Sequence, residues 1–276
     1  MTTFQAIVLA IIHGISEFLP INSKAHQVLL PLVVGWQQPT GSQLACFSLG
    51  GLLALLIYFR HDWASMISSL LQVILYRKRP KTVDERLPLF LVASTLPLLL
   101  ATPYFRSWVR DLDWSPLRIT TLLVALSAPL WFFDYWSRKI KNIYDWNWID
   151  AIFVGIIQCS AILPGVDLFS VTLIGIFLRN YQREAAVKYA YFAALPMLIY
   201  RVSTEFKEIS FSAPAPAPEM SWLSFGTATV VSLFVGLLAI GGFTKHVQNK
   251  GMGQYFFYRI FIGAGIFGLY WVRGSL

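Results

Sequence analysis

The chain has 276 residues, of which 56% are hydrophobic and 13% charged, with a mean hydropathy of +0.59. Soluble domains carry about 25% charged residues. The composition therefore excludes a disordered chain, a disulfide scaffold, a coiled coil and an ordinary cytosolic enzyme, and predicts a polytopic α-helical membrane protein. The net charge of +8 then reads as basic cytoplasmic loops and not as a nucleic-acid surface.

At the N-terminus, Met1-Thr2-Thr3 lacks a basic region and Gly14-Ile15-Ser16-Glu17 turns polar early, so no cleavable signal peptide is expected. Crossing a bilayer takes roughly 20 apolar residues. The stretch Phe4–Trp36 is broken by Glu17, Pro20, Asn22, Ser23, Lys24 and His26. It reads as helix, polar break, helix, with each half too short to cross alone. Gly41–Phe59 and Leu87–Phe105 follow as spans. Ile119–Phe133 is short, and its start is expected to lie before Arg118. Trp148–Leu178 is broken again, at Pro164, Gly165 and Asp167. Ala185–Tyr200, Trp222–Thr244 and Gln254–Val272 complete six spans, the last with Arg259 inside it. Irregular backbone at membrane depth is tolerated only where protein buries it or it lines a polar cavity. The two broken stretches are therefore predicted as re-entrant helical hairpins.

The halves resemble one another. Ala6–His13 aligns with Ala151–Gln158, and a Leu-Pro pair follows in each, at Leu19-Pro20 and Leu163-Pro164. Paired interrupted segments at matching places point to a midplane site in a repeat-built membrane protein. The expectation is one domain, 1–276, of two inverted halves over about 1–133 and 148–276. With the N-terminus outside, segments 60–86, 134–150, 179–188 and 245–250 are cytoplasmic and carry twice the Lys and Arg of the outer segments. Ser210–Glu219, with its Ala-Pro alternation, is expected as an extended outer loop. The run Tyr76–Lys81 reads as topogenic charge and contact with lipid headgroups. Cys46 and Cys159 lie in apolar runs and are not expected to pair. Trp114, Trp131, Trp136, Trp146 and Trp148 are placed at the membrane boundaries. Gly50-Gly51 and Gly241-Gly242 read as close helix packing.

Chemistry concentrates in the first break. His13 and Glu17, four apart, share a helix face. Asn22 or Ser23 caps the next helix, whose first amides favour an anion. Lys24 adds a cation beside a hydroxyl and the His26 imidazole. Ionisable groups at membrane depth are costly and usually functional, so this cluster reads as a phosphate site with a nucleophile and a base.

The stretch Glu17-Phe18-Leu19-Pro20-Ile21-Asn22-Ser23-Lys24-Ala25-His26 resembles the first signature of the undecaprenyl-diphosphate phosphatase (bacitracin-resistance) family. Gly35-Trp36, Tyr58-Phe59-Arg60, Gln158-Cys159, Pro164-Gly165, Ala193–Pro196 and Tyr258-Arg259 extend the likeness along the whole chain. The resemblance implies a bacterial inner-membrane protein of inverted repeats with two re-entrant hairpins and a site open to the outer face. It implies removal of the terminal phosphate from a C55 polyprenyl diphosphate, with a divalent cation, Mg²⁺ or Ca²⁺. The partners implied are the polyprenyl (di)phosphate and membrane lipids.

The chain departs from the family at the site. His13 stands where the family has a Glu, Asn22 for a Ser and Lys24 for a Thr. In the second signature, Leu168 replaces the Arg that the resemblance implies as a diphosphate clamp, and Asp167 and Phe169 replace its flanking Ser residues. One reading is a rewired enzyme: Ser23 attacks, His26 moves protons, Lys24, Asn22 and Ser170 bind phosphate, and Glu17 and Asp167 hold a cation. The other is a catalytically inactive paralogue that binds or translocates polyprenyl phosphate, with Lys24 and Asp167 as a structural pair. The enzyme is preferred. Arg259 is expected either to neutralise a carboxylate or to snorkel to headgroups.

Overall fold

The computed structural model describes residues 1–112, 114–208 and 222–273. The Ala-Pro loop expected over Ser210–Glu219 lies outside them, as do the side chains of Arg106 and Arg110. The described chain is helical, with one isolated bridge between Lys141 and Tyr181.

Helix α1 (Thr3–Ser16) starts in a capping box between Thr2 and Gln5. Pro20 prevents its continuation, and the chain re-enters helix at α2 (Ser23–Val34), capped by Asn22 and closed by Gly35 at φ +74°. After α3 (Gly41–Tyr58), the segment expected as a plain cytoplasmic loop instead forms α4 (Arg60–Leu75), turned 74° from α3. Its Ile67, Leu71, Ile74 and Leu75 are exposed. Helix α5 (Val83–Asp111) begins at a Thr82–Glu85 capping box. Helix α6 (Pro116–Trp136) starts before Arg118, with Pro116 at its first position and Ser115 as cap.

The second broken stretch follows the same plan. Helix α7 (Trp148–Gln158) tightens into a 3-10 turn at Cys159–Ile162, Pro164-Gly165 stops it, and Asp167 caps α8 (Leu168–Leu178). Gly165, at φ +92°, lies so near α6 that a Cβ would stand 2.7 Å from the Ile119 carbonyl. Helices α9 (Arg183–Glu208), α10 (Trp222–Asn249) and α11 (Gly253–Arg273) complete the chain.

Among the described residues, four helices (α5, α6, α10 and α11) are long and apolar enough to cross a membrane, or five if the bent α3–α4 pair is one span. Helix α9, expected as a span, is not one of them. Lys188, Arg201 and the tyrosines 189, 191 and 200 dilute its apolar character. It is instead the centre of the core, where Tyr189, Tyr191, Phe192 and Ala193 are buried. Large apolar side chains such as Phe234, Leu238 and Phe261 face outward. Such a protein gains little from hydrophobic contrast with lipid, so close packing carries its helix association. A Cβ at Gly50 would meet the Thr229 carbonyl at 2.5 Å, and one at Gly155 the Ser94 carbonyl at 2.6 Å. Among the described residues Gly242 has no such neighbour within 4 Å, so close packing accounts for Gly50 and not for Gly242.

One end of the bundle is tied by carboxylates. Asp134 takes Arg183 at 2.6 and 3.0 Å and the Met252 amide at 2.9 Å, joining α6, α9 and α11. Asp150 takes Lys141 at 2.8 Å, Tyr181 at 2.7 Å and Arg179. Lys188 pairs with Asp62 at 2.6 Å. Burial of Lys139 beside this end lowers its pKa. Trp146, expected at the boundary, is buried here and stacks on Tyr189 with centroids 3.5 Å apart. Trp131, Trp136 and Trp148 are exposed. Both cysteines are free.

Candidate active site

The two breaks meet around one cavity of about 710 Å³. Its polar floor holds Glu17, Asn22, Ser23, Lys24 and Asp167, with Arg201 and Glu205 from α9. Its walls are apolar and include Leu98, Val109, Trp114, Ile162, Met197 and Leu198.

Glu17 follows the last turn of α1 and Ser23 opens α2, so the break that Pro20 forces folds one onto the other. Ser23 Oγ donates to Glu17 Oε2 at 2.5 Å. Glu17 also receives Arg201, Nη2 at 2.9 Å and Nη1 at 3.2 Å. Arg201 lies 3.8 Å from Glu205, one turn further on. Tyr191 donates to the Phe18 carbonyl at 2.9 Å and fixes the break against α9. His13 is fully buried, 3.9 Å from Glu17 and 2.5 Å from the Gln27 amide. It therefore supports Glu17 from behind and does not line the cavity.

Asn22 sits at φ +72°, a region Asn tolerates better than most residues. Its Oδ1 accepts from the Ala25 amide at 3.0 Å, while its Nδ2 is buried without a partner among the described residues. His26, expected to pass protons to Ser23, is engaged elsewhere on both ring nitrogens. Nδ1 lies 2.8 Å from the Asn22 carbonyl and Nε2 2.7 Å from the Tyr258 hydroxyl, with the two rings stacked. Asn22 and Ser23 begin a helix, and that geometry turns the residue three further on back over the cap.

At the second break, Asp167 and Leu168 line the cavity, but Asp167 does not pair with Lys24. Its partner is Arg259, whose Nη2 approaches Asp167 Oδ1 at 2.6 Å and Ser170 Oγ at 2.5 Å. Arg259 Nε donates to the Pro20 carbonyl at 2.9 Å. This guanidinium, fully buried, neutralises a carboxylate, and the snorkelling alternative falls. Ser170, expected to bind phosphate, is buried and held by Arg259 outside the cavity lining.

A divalent cation does not fit these residues as a protein-held ion. Among the described residues no group of three His, Cys, Asp or Glu side chains is placed to ligate one. Glu17 is taken by Arg201 and Asp167 by Arg259.

Sequence reading missed Arg201, Glu205 and Tyr258. Arg201 and Glu205 are spaced by four at the end of an apolar run, a signal for a functional pair; chain order instead assigned Arg201 to an outer loop.

Comparison with known proteins agrees with the geometry. An undecaprenyl-diphosphatase of Moorella thermoacetica is 30% identical over 273 residues, covering 99% of this chain and 100% of the relative. One of Gemmatimonas aurantiaca is 30% identical over 267 residues, 97% of each chain. One of Chlorobium chlorochromatii is 29% identical over 280 residues, 98% of this chain and 97% of the relative. The family described as bacitracin resistance protein BacA matches residues 6–265. The chain belongs to the BacA family.

Proposed function

We propose that the chain is an undecaprenyl-diphosphatase, removing the terminal phosphate of a C55 polyprenyl diphosphate to leave the monophosphate lipid carrier of cell-wall synthesis. The observation that carries this is the 2.5 Å bond from Ser23 to Glu17 on the polar floor of an apolar-walled cavity. Such a cavity suits a charged head on an isoprenoid tail. Relatives that cover nearly the whole chain bear the same name.

Glu17 takes the Ser23 proton as Oγ attacks the terminal phosphorus. The bond from that phosphorus to the bridging oxygen breaks, and the polyprenyl monophosphate leaves with the electron pair. Glu17 passes its proton to the departing phosphate. It then takes a proton from water, whose oxygen attacks the phosphoserine; Ser23 leaves and recovers its proton from Glu17. Inorganic phosphate is the second product. His26 is a positioning residue here, holding the Asn22 carbonyl and hence the start of α2.

The fold reading that goes with this is a multi-pass inner-membrane protein of six spans, with α9 as the sixth, and two re-entrant hairpins in inverted halves. In support, α1 packs on α10 while α7 packs on α5, an exchange that a twofold between halves produces. Three of the basic segments, 60–86, 134–150 and 179–188, are joined through Asp62, Asp134 and Asp150. The cavity reaches Val109 and Trp114, in the segment read as outer.

The test is phosphate release from C55 diphosphate by purified protein, against Ser23→Ala. Lipid binding without release would select the inactive paralogue, which no contact in the site favours.

A further inference from the structure

Most charges lining the cavity are already matched. Arg201 lies between Glu17 and Glu205, and Arg259 holds Asp167 at 2.6 Å. At Glu17 and Asp167 a divalent cation would compete with a guanidinium already in place. Lys24 is different: it lines the same cavity, is exposed to it, and forms no hydrogen bond or ion pair among the described residues. Beside it lies a second uncommitted group. Asn22 is 1% exposed, and its Nδ2 is a buried donor with no acceptor among the described residues while the residue lines the cavity. A buried unpaired donor costs about 1–3 kcal/mol, and an incoming oxygen anion would relieve that cost. The first amides of α2, at Ser23 and Lys24, also meet no acceptor among the described residues. They lie where a helix start favours negative charge. All of these groups are donors, gathered around the hydroxyl that Glu17 orients.

We propose that Lys24, Asn22 Nδ2 and the α2 amides bind the diphosphate directly, so that this site works without a divalent cation held by protein carboxylates. The proposal deepens the phosphatase reading and rests on it for the identity of the anion. It makes the substitutions at His13 and Lys24 one change. An acid is absent from the first helix and a fixed cation is present on the second, so a mobile ion is replaced by an ammonium that binds phosphate as a point charge.

Two measurements separate this proposal from the reading beneath it. The first is phosphate release from C55 diphosphate in excess EDTA and in Mg²⁺ or Ca²⁺. The expected rate in EDTA is within about twofold of the rate with metal. Release that falls at least tenfold in EDTA and returns with metal overturns the proposal and leaves the phosphatase standing. The second is calorimetric binding of pyrophosphate in EDTA by wild type and Lys24→Gln. Binding weakened at least tenfold by Lys24→Gln supports the proposal even if no release is seen under any condition, a result that would sink only the phosphatase reading. No binding in EDTA, or equal binding by the variant, overturns it. Lys24 has no hydrogen-bond or ion-pair partner among the described residues, so an unchanged melting temperature for Lys24→Gln certifies the comparison.

Discussion

Ser23 and Glu17 are in hydrogen-bond contact at 2.5 Å, and the nearby imidazole of His26 is bonded away from both. The proposed mechanism therefore gives the acid–base work at the hydroxyl to the carboxylate. Ser23→Ala is expected to lower phosphate release at least ~10³-fold, and Glu17→Gln by ~10²–10⁴, the range for a positioned base. Steady-state release from C55 diphosphate reads both. A Glu17→Gln protein within fivefold of wild type would remove Glu17 from the chemistry.

His26 behaves differently on this geometry. His26→Gln and Tyr258→Phe each disturb the cap of α2 and not the proton transfer. Each should lower kcat by less than about tenfold, with no change in the shape of the pH profile. A fall on the scale of general-base loss, ~10² or more, together with loss of the profile's acidic limb, would return the imidazole to a direct role.

Asp167 and Arg259 form a buried pair spanning the two breaks. Removing one partner from such a pair typically costs about 3–5 kcal/mol, because the other charge is left unpaired. Asp167→Asn and Arg259→Met should each lower the melting temperature in detergent, and the double variant should be less destabilised than their sum. Strict additivity would show that the pair is not coupled.

The helix crossings at Gly50 and Gly155 leave no space for a side chain. Gly50→Ala should destabilise by about 1–3 kcal/mol, as overpacking does. Gly242→Ala, with nothing within 4 Å, should be neutral. Thermal unfolding of the two variants side by side decides this, and equal stability would deny the close crossing of α3 and α10.

The orientation makes its own prediction. A cysteine introduced by Lys81→Cys should react with a membrane-impermeant maleimide only after the cells are opened. Labelling in intact cells would reverse the topology.

The sequence exposed much of this arrangement because its strongest signals are local. Pro20, Asn22, Pro164 and Asp167 break and cap helices within a few residues, so both breaks and their meeting were legible. The start of the short span before Arg118 was legible too, from the shortness of the apolar run Ile119–Phe133. Pairings between distant residues were not. Glu17 meets Arg201 across 184 positions, and Asp167 meets Arg259 across 92. Lys24 and Asp167 looked like natural partners because both are departures from one pattern. The structure gives Asp167 a different cation, one already in place on α11. Trp146 misled for a similar reason: an aromatic beside a polar segment looks interfacial until a tyrosine from α9 is stacked on it. Helix α4 escaped notice because its apolar residues are spaced around exposed positions and end in a basic run.

Arg259 carries one more consequence, concerning the order in which the protein is made. Ser23 and Glu17 emerge from the ribosome early, but the guanidinium that joins the Pro20 carbonyl to Asp167 arrives with the last helix. Until α11 is inserted, the loop bearing Ser23 lacks its polar tie to Asp167, though Tyr191 already bridges Phe18 and Phe169. A nascent or prematurely terminated chain thus has Ser23 and Glu17 without the clasp between the two breaks, and a frameshift late in the gene should silence it as surely as one near the start.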